Sequence, residues 1–190
     1  MTTNKGQISG LASPFLERHR MNMIKKYASG GTVLDFGCGT GTLAGVINYD
    51  KYIGVDIDLE NIHAARERYP NIQNIFFFTT GEFEHYQGKF DCIVLSAVIE
   101  HFDNPQQECK NLAKLLNENG IIIVTTPSRI GNIILILGSR FGIFSREAIK
   151  EHKFIFSITD FIQLANFLNL TIRIYHTFEC GMNQIVVFSK

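Results

Sequence analysis

The sequence predicts an α/β domain, a mostly parallel sheet covered by helices on both faces. Three observations carry that prediction. First, short apolar runs at 32–36, 52–56, 74–79, 90–96 and 121–126 alternate with helical patterns. Their near-continuous apolar character suits strands buried on both faces. Second, the run Val33-Leu34-Asp35-Phe36-Gly37-Cys38-Gly39-Thr40-Gly41 puts glycines at alternate positions after the first apolar run. Third, the second run ends in acids, Gly54-Val55-Asp56-Ile57-Asp58. Ligands of open α/β sheets bind beyond the carboxyl ends of the strands, where such residues gather.

Taken in chain order, the basic residues Arg18, Arg20, Lys25 and Lys26 suggest the solvated face of an N-terminal helix. The first strand then enters a tight glycine turn, and an amphipathic stretch (Thr42, Leu43, Ala44, Val46, Ile47) predicts a helix. Glycine adopts φ > 0 and lets a backbone approach a ligand closely. A helix start beside the turn offers unpaired N–H groups. A polar small molecule is therefore expected on this turn. A dinucleotide fingerprint has the spacing G-x-G-x-x-G. Here the third glycine, Gly41, comes one residue early and Thr42 holds the dinucleotide position.

Asp56 follows Gly37 by about 20 residues, the distance at which an acid reaches a ribose hydroxyl pair. Asp58 suits the N-cap of a helix over 59–69, with Asn61 and Ile62 in its first turn, which leaves Asp56 to the ligand. Ile75-Phe76-Phe77-Phe78 marks the third strand. After the fourth strand, Pro105 starts a helix in which Cys109, Leu112 and Leu116 recur at helical spacing, and Asn119-Gly120 signals its stop. The rhythm changes at 127–150, a segment with its own apolar content. Ser157 or Thr159 then caps a last helix with Phe161, Leu164, Ala165 and Leu168 inward. Strands at 171–176 and 184–188 close the sheet.

The 190 residues suit a single compact domain over 1–190. Lys and Arg total 18, as do Asp and Glu, and that balance argues against a dedicated nucleic-acid surface. The cysteines (Cys38, Cys92, Cys109, Cys180) are scattered, with no zinc-ligand spacing. Free buried thiols fit a reducing cytosol, so a cytoplasmic location is expected. No signal peptide and no bilayer-spanning apolar run is visible.

The segments 33–41, 54–58 and 90–94, with Glu100-His101, resemble the class I S-adenosylmethionine-dependent methyltransferases. The resemblance runs from about Arg20 to about Thr126 and more loosely to the end. It is greatest toward the "type 11/12" small-molecule group, which includes ubiquinone-pathway O-methyltransferases. It implies a Rossmann-like, seven-stranded, mostly parallel sheet of order 3-2-1-4-5-7-6 with strand 7 antiparallel. It further implies S-adenosylmethionine as cofactor and S-adenosylhomocysteine as product. Gly37, Gly39 and Gly41 would pass under the methionine part and Asp35 would anchor the turn and the amino group. Asp56 would take the ribose hydroxyls, and Ile57 would cover the adenine. Glu82 would accept from the adenine amino group, beside the Phe83 N–H, with Glu84 as competitor and capping of a short helix as the alternative role for Glu82. Ser96 would turn a backbone carbonyl to the cofactor.

His101 is the candidate general base, because imidazole titrates in the useful range; a purely structural hydrogen bond is the competing role. His152 is a second candidate. Metal-dependent small-RNA 2′-O-methyltransferases carry Glu-x-x-Glu-His after strand four, and here the first of those acids is replaced by Ala97. Losing one carboxylate removes both charge and an oxygen ligand from a hard-cation site, so no metal is expected. The acceptor is expected to be a small molecule and the protein a monomer or homodimer; 127–150 is a candidate lid, with core packing or a dimer surface as the alternatives. The alternatives are an RNA or protein methyltransferase and a non-catalytic S-adenosylmethionine-binding protein.

Overall fold

The computed structural model describes residues 13–28, 30–131, 133–134 and 153–190. Its sheet has seven strands in the order β3-β2-β1-β4-β5-β7-β6. The strands are β1 (Thr32–Phe36), β2 (Lys51–Asp56), β3 (Ile75–Thr79), β4 (Phe90–Ser96), β5 (Leu116–Pro127), β6 (Thr171–Phe178) and β7 (Asn183–Ser189). β1 pairs in parallel with β2 and β4, β2 with β3, and β4 with β5. β7 runs antiparallel to both β5 and β6. Strand order and direction are those the sequence led us to expect.

Side chains alternate between two cores because successive strand residues point to opposite faces. On one face, Val33, Tyr52, Phe77, Cys92, Val94 and Ile123 meet Met21, Met23 and Ile24 of α1 (Ser13–Lys25) and Ile62 and Ala65 of α2 (Leu59–Arg68). On the other, Leu34, Ile53, Val55, Ile93, Leu95, Ile122 and Val124 meet two further helices. These are α4 (Pro105–Ala113), through Cys109 and Leu112, and α5 (Ile158–Leu168), through Phe161, Leu164 and Ala165. A short helix, α3 (Thr80–Phe83), follows β3. Asp58 caps α2 by accepting from the Glu60 N–H at 2.8 Å. Of the two residues offered as caps for α5, Ser157 takes the position, in a capping box with Asp160.

Two local expectations are overturned. The stretch after Gly41 makes only one 3₁₀ turn, Thr42–Gly45, not an amphipathic helix. Gly45 is a poor helix former, and a Cβ there would lie 2.9 Å from the Tyr69 hydroxyl. Leu43 and Ile47 are buried against the sheet all the same, which is why their spacing looked helical. Second, α4 stops at Ala113, and Leu116 begins β5 opposite Phe90. The pairing shifts register before Cys92 meets Ile121, so Asn119-Gly120 belongs to a bulge within the strand and is no helix stop. Leu116 stands four residues after Leu112, but strand pairing with β4 outweighed that helical spacing.

The N-terminal helix is also less solvated than expected. Arg18, Lys25 and Lys26 are exposed, while Arg20 is half-buried with a buried Nε. Arg20 and Ile24 stand at i and i+4, one face of the helix. Residues 132 and 135–150 of the candidate lid, and His152, lie outside the described residues.

Candidate cofactor and acceptor site

The glycine turn leaves β1 toward the carboxyl ends of the strands. Gly37, Gly39 and Gly41 have φ of 82°, 52° and 74°, the left-handed region that side chains disfavour. The N–H groups of Gly37 and Cys38 donate to the Val55 carbonyl at 2.7 and 3.0 Å, tying the turn to β2. The reasons for glycine differ. A Cβ on Gly37 would fall 2.3 Å from Val98 Cγ2, and one on Gly41 2.7 Å from the Phe77 ring. A Cβ on Gly39 would meet nothing within 4 Å, so that peptide borders open space.

Asp56, at the tip of β2, organises this corner and is buried. Its Oδ2 accepts from the Gly39 N–H at 2.8 Å. Its Oδ1 accepts from the Asp58 N–H at 2.9 Å and the Asn61 amide at 3.3 Å. Asp56 is thus already engaged by the protein, although an ionised carboxylate offers about four acceptor directions. Next to it, Ile57 is 84% exposed, an apolar side chain standing in solvent beside a buried acid.

Asp35 is also buried, in the last part of β1. Its Oδ2 accepts from the Tyr52 hydroxyl at 2.5 Å, while its Oδ1 has no partner among the described residues. Burial pushes the Asp35 carboxyl up to about 7, with the charge of Asp56 adding and the Tyr52 hydrogen bond opposing. The neutral acid and the anion are both within reach near neutrality.

Around α3, Glu82 closes a capping box with Thr79, accepting from the Thr79 N–H at 2.6 Å. It also pairs with Arg66 at 3.1 Å, and these contacts hold its carboxyl below the usual range, the Thr79 backbone first. The geometry therefore gives Glu82 the capping role. Phe83 stacks on Tyr86 at 5.4 Å and meets the Phe36 ring at 6.5 Å, so its backbone is held against the first strand. Glu84 is exposed.

Beyond β4, Ser96 is half-buried and its hydroxyl lacks a partner among the described residues. Ala97 adopts φ 56°, unusual for a residue with a Cβ and a mark of local strain where the chain leaves the strand. Its N–H donates to the Thr125 carbonyl at 2.8 Å, and the chain then turns through Ile99–His101. His101 is half-buried, and its N–H donates to the Val98 carbonyl at 3.0 Å. Its neighbour Glu100 is 1% exposed. In the sequence Glu100 is named only as the partner of His101 in the Glu-His pair.

An acid-tipped second strand beside a glycine turn in this sheet order defines a class of nucleoside-cofactor enzymes. A "Methyltransferase domain" family model matches residues 11–173, and the chain belongs to that family, the class I S-adenosylmethionine-dependent methyltransferases. It is 30% identical over 134 residues to a "Probable S-adenosylmethionine-dependent methyltransferase" of Mycolicibacterium smegmatis, covering 67% of this chain and 52% of that protein. It is 29% identical over 154 residues to a mitochondrial ubiquinone biosynthesis O-methyltransferase of Dictyostelium discoideum, covering 72% and 48%. The chain thus spans about half the length of these curated relatives. Among solved structures, the plantazolicin methyltransferase BpumL in complex with S-adenosylhomocysteine shares the fold, with a TM-score of 0.71 at 15% identity over 94% of this chain and 85% of that one. S-adenosylmethionine is the cofactor of the family. The residues present suit it. Gly39 borders open space, Ile57 offers an uncovered apolar face, and Asp35 keeps a buried oxygen without a donor.

Proposed function

We propose that the chain transfers a methyl group from S-adenosylmethionine to a small-molecule acceptor by in-line displacement. The observation that carries this reading is the linked corner of the site. The Asp56 carboxylate holds the Gly39 N–H at 2.8 Å, and Ile57 stands exposed beside it. S-adenosylmethionine supplies a methyl group already activated by the sulfonium charge. Free acceptor directions on Asp56 receive the ribose hydroxyls, and Ile57 covers the adenine. The unpartnered Oδ1 of Asp35 fits the ammonium end of the methionine part, directly or through water. Gly37, Gly39 and Gly41 keep the backbone clear of that part. The Phe83 N–H and the Ser96 carbonyl complete the cradle, with Glu82 acting through the helix cap it closes.

Alignment of the nucleophile supplies much of the rate in such a displacement. His101 is placed after β4 to take the nucleophile's proton if the acceptor is a hydroxyl. Titration calorimetry with S-adenosylhomocysteine tests the reading. Micromolar binding that falls at least tenfold in Asp56→Ala supports it, and absence of binding to the wild-type protein overturns it.

A further inference from the structure

We infer that Glu100 is the acceptor-recognition residue and that it selects acceptors presenting a hydrogen-bond donor, a hydroxyl or an amine, over carboxylate and apolar acceptors. The inference rests on the methyltransferase reading above and deepens it. Glu100 is 1% exposed, yet neither carboxylate oxygen has a hydrogen-bond partner among the described residues. Burying a carboxylate without donors is among the most costly arrangements a fold tolerates. Such a group is either a defect or a place kept for a ligand.

The surroundings favour the second. Glu100 follows β4 on the carboxyl side of the sheet. Burial pushes the Glu100 carboxyl up, against its own amide, His101, Thr126 and Arg20, which favour the anion, and no ion pair among the described residues joins Arg20 to it. The Arg20 Nε is itself buried and without a hydrogen-bond partner among the described residues. So are the hydroxyls of Ser96 and Thr125, register neighbours across β4 and β5. Unmatched polar atoms from α1, β4, β5 and the β4 exit thus gather at one end of the sheet. Acceptor capacity dominates, because hydroxyls serve as donor or acceptor while a carboxylate only accepts. An incoming hydroxyl or ammonium satisfies Glu100. An incoming carboxylate brings no donor and meets like charge whenever Glu100 is ionised, and a bare carbon leaves it unmatched. The backbone is held for this task. The Glu100 carbonyl accepts from the N–H groups of Lys153 and Phe154 at 2.9 and 3.3 Å.

The test uses four ring probes of similar shape, phenol, benzylamine, benzoate and toluene. Each is titrated by saturation-transfer NMR into the full chain saturated with S-adenosylhomocysteine. Phenol and benzylamine are expected to bind at least tenfold tighter than benzoate and toluene. Glu100→Gln, which removes the charge and adds an amide donor, is expected to lose the discrimination against benzoate while S-adenosylhomocysteine binds within twofold of wild type. Benzoate or toluene binding as tightly as phenol and benzylamine overturns the inference. So do binding by none of the four probes and a discrimination against benzoate that survives in Glu100→Gln. Failure of the wild-type protein to bind S-adenosylhomocysteine overturns the methyltransferase reading instead, so the two failures are distinguishable.

Discussion

Single residues at this site do different work even where they look alike. Gly37 and Gly39 stand two positions apart in one turn, both at positive φ. Gly37→Ala drives a methyl into Val98 and is expected to cost roughly 2–4 kcal/mol of stability, from strain and overpacking together. Gly39→Ala meets open space, so only the backbone penalty of about 1–2 kcal/mol remains. In the proposed function its methyl stands on the cofactor's side of the turn. Chemical denaturation with calorimetry on both variants separates the two. Gly37→Ala is expected to lose mainly stability, and Gly39→Ala mainly S-adenosylhomocysteine binding. Asp35 carries a pH signature. Its carboxyl is raised from 3.8 in the unfolded chain to about 7 in the fold. The unfolded chain therefore releases this proton first as pH rises. The Asp35 contribution to stability is fullest below pH ~4, declines between ~4 and ~7, and stays at its reduced level above that. Urea unfolding from pH 4 to 8 is expected to show a slope in that window that is absent in Asp35→Asn.

Elements carry consequences that no single side chain does. The bulge in β5 exists because Phe90 faces Leu116 while Cys92 already faces Ile121. Gly120 is the tight point, since a Cβ there would lie 2.9 Å from the Phe90 carbonyl. Gly120→Ala is expected to cost about 1–3 kcal/mol, read by a lower denaturation midpoint at unchanged slope. Ser157→Ala removes the α5 cap and is expected to cost about 1 kcal/mol. The start of β5 also marks where legibility ended. β1, the α2 cap at Asp58 and the buried face of α5 were readable because local chemistry and tertiary packing ask for the same residues. The turn after Gly41 and the end of α4 were misread because burial spaced every three or four residues mimics a helix while the chain is bent or paired elsewhere. Asp56 was legible as the acid at the tip of the second strand. Its simultaneous hold on the Gly39 N–H was not, since that bond depends on how β2 stands against the turn. Glu82 was ambiguous for a plain reason. An acid three residues after Thr79 satisfies a capping box as readily as a ligand.

At the scale of the whole molecule, cofactor binding and folding are linked. A ligand that binds only the native chain at about one hundred times its Kd adds about 2.7 kcal/mol, so saturating S-adenosylhomocysteine is expected to raise the Tm by about 5–10 °C in a thermal-shift measurement. The sheet's own order has a different consequence. β7 is the last strand in chain order, yet it lies between β5 and β6, and every one of its residues is buried. During vectorial synthesis the five strands that build the cofactor corner emerge well before the strand that covers β5. Until Asn183–Ser189 arrives, that edge offers unpaired backbone groups and apolar side chains to any neighbour. The window in which a nascent chain would recruit a chaperone, or pair wrongly with another copy, therefore closes only with the final strand.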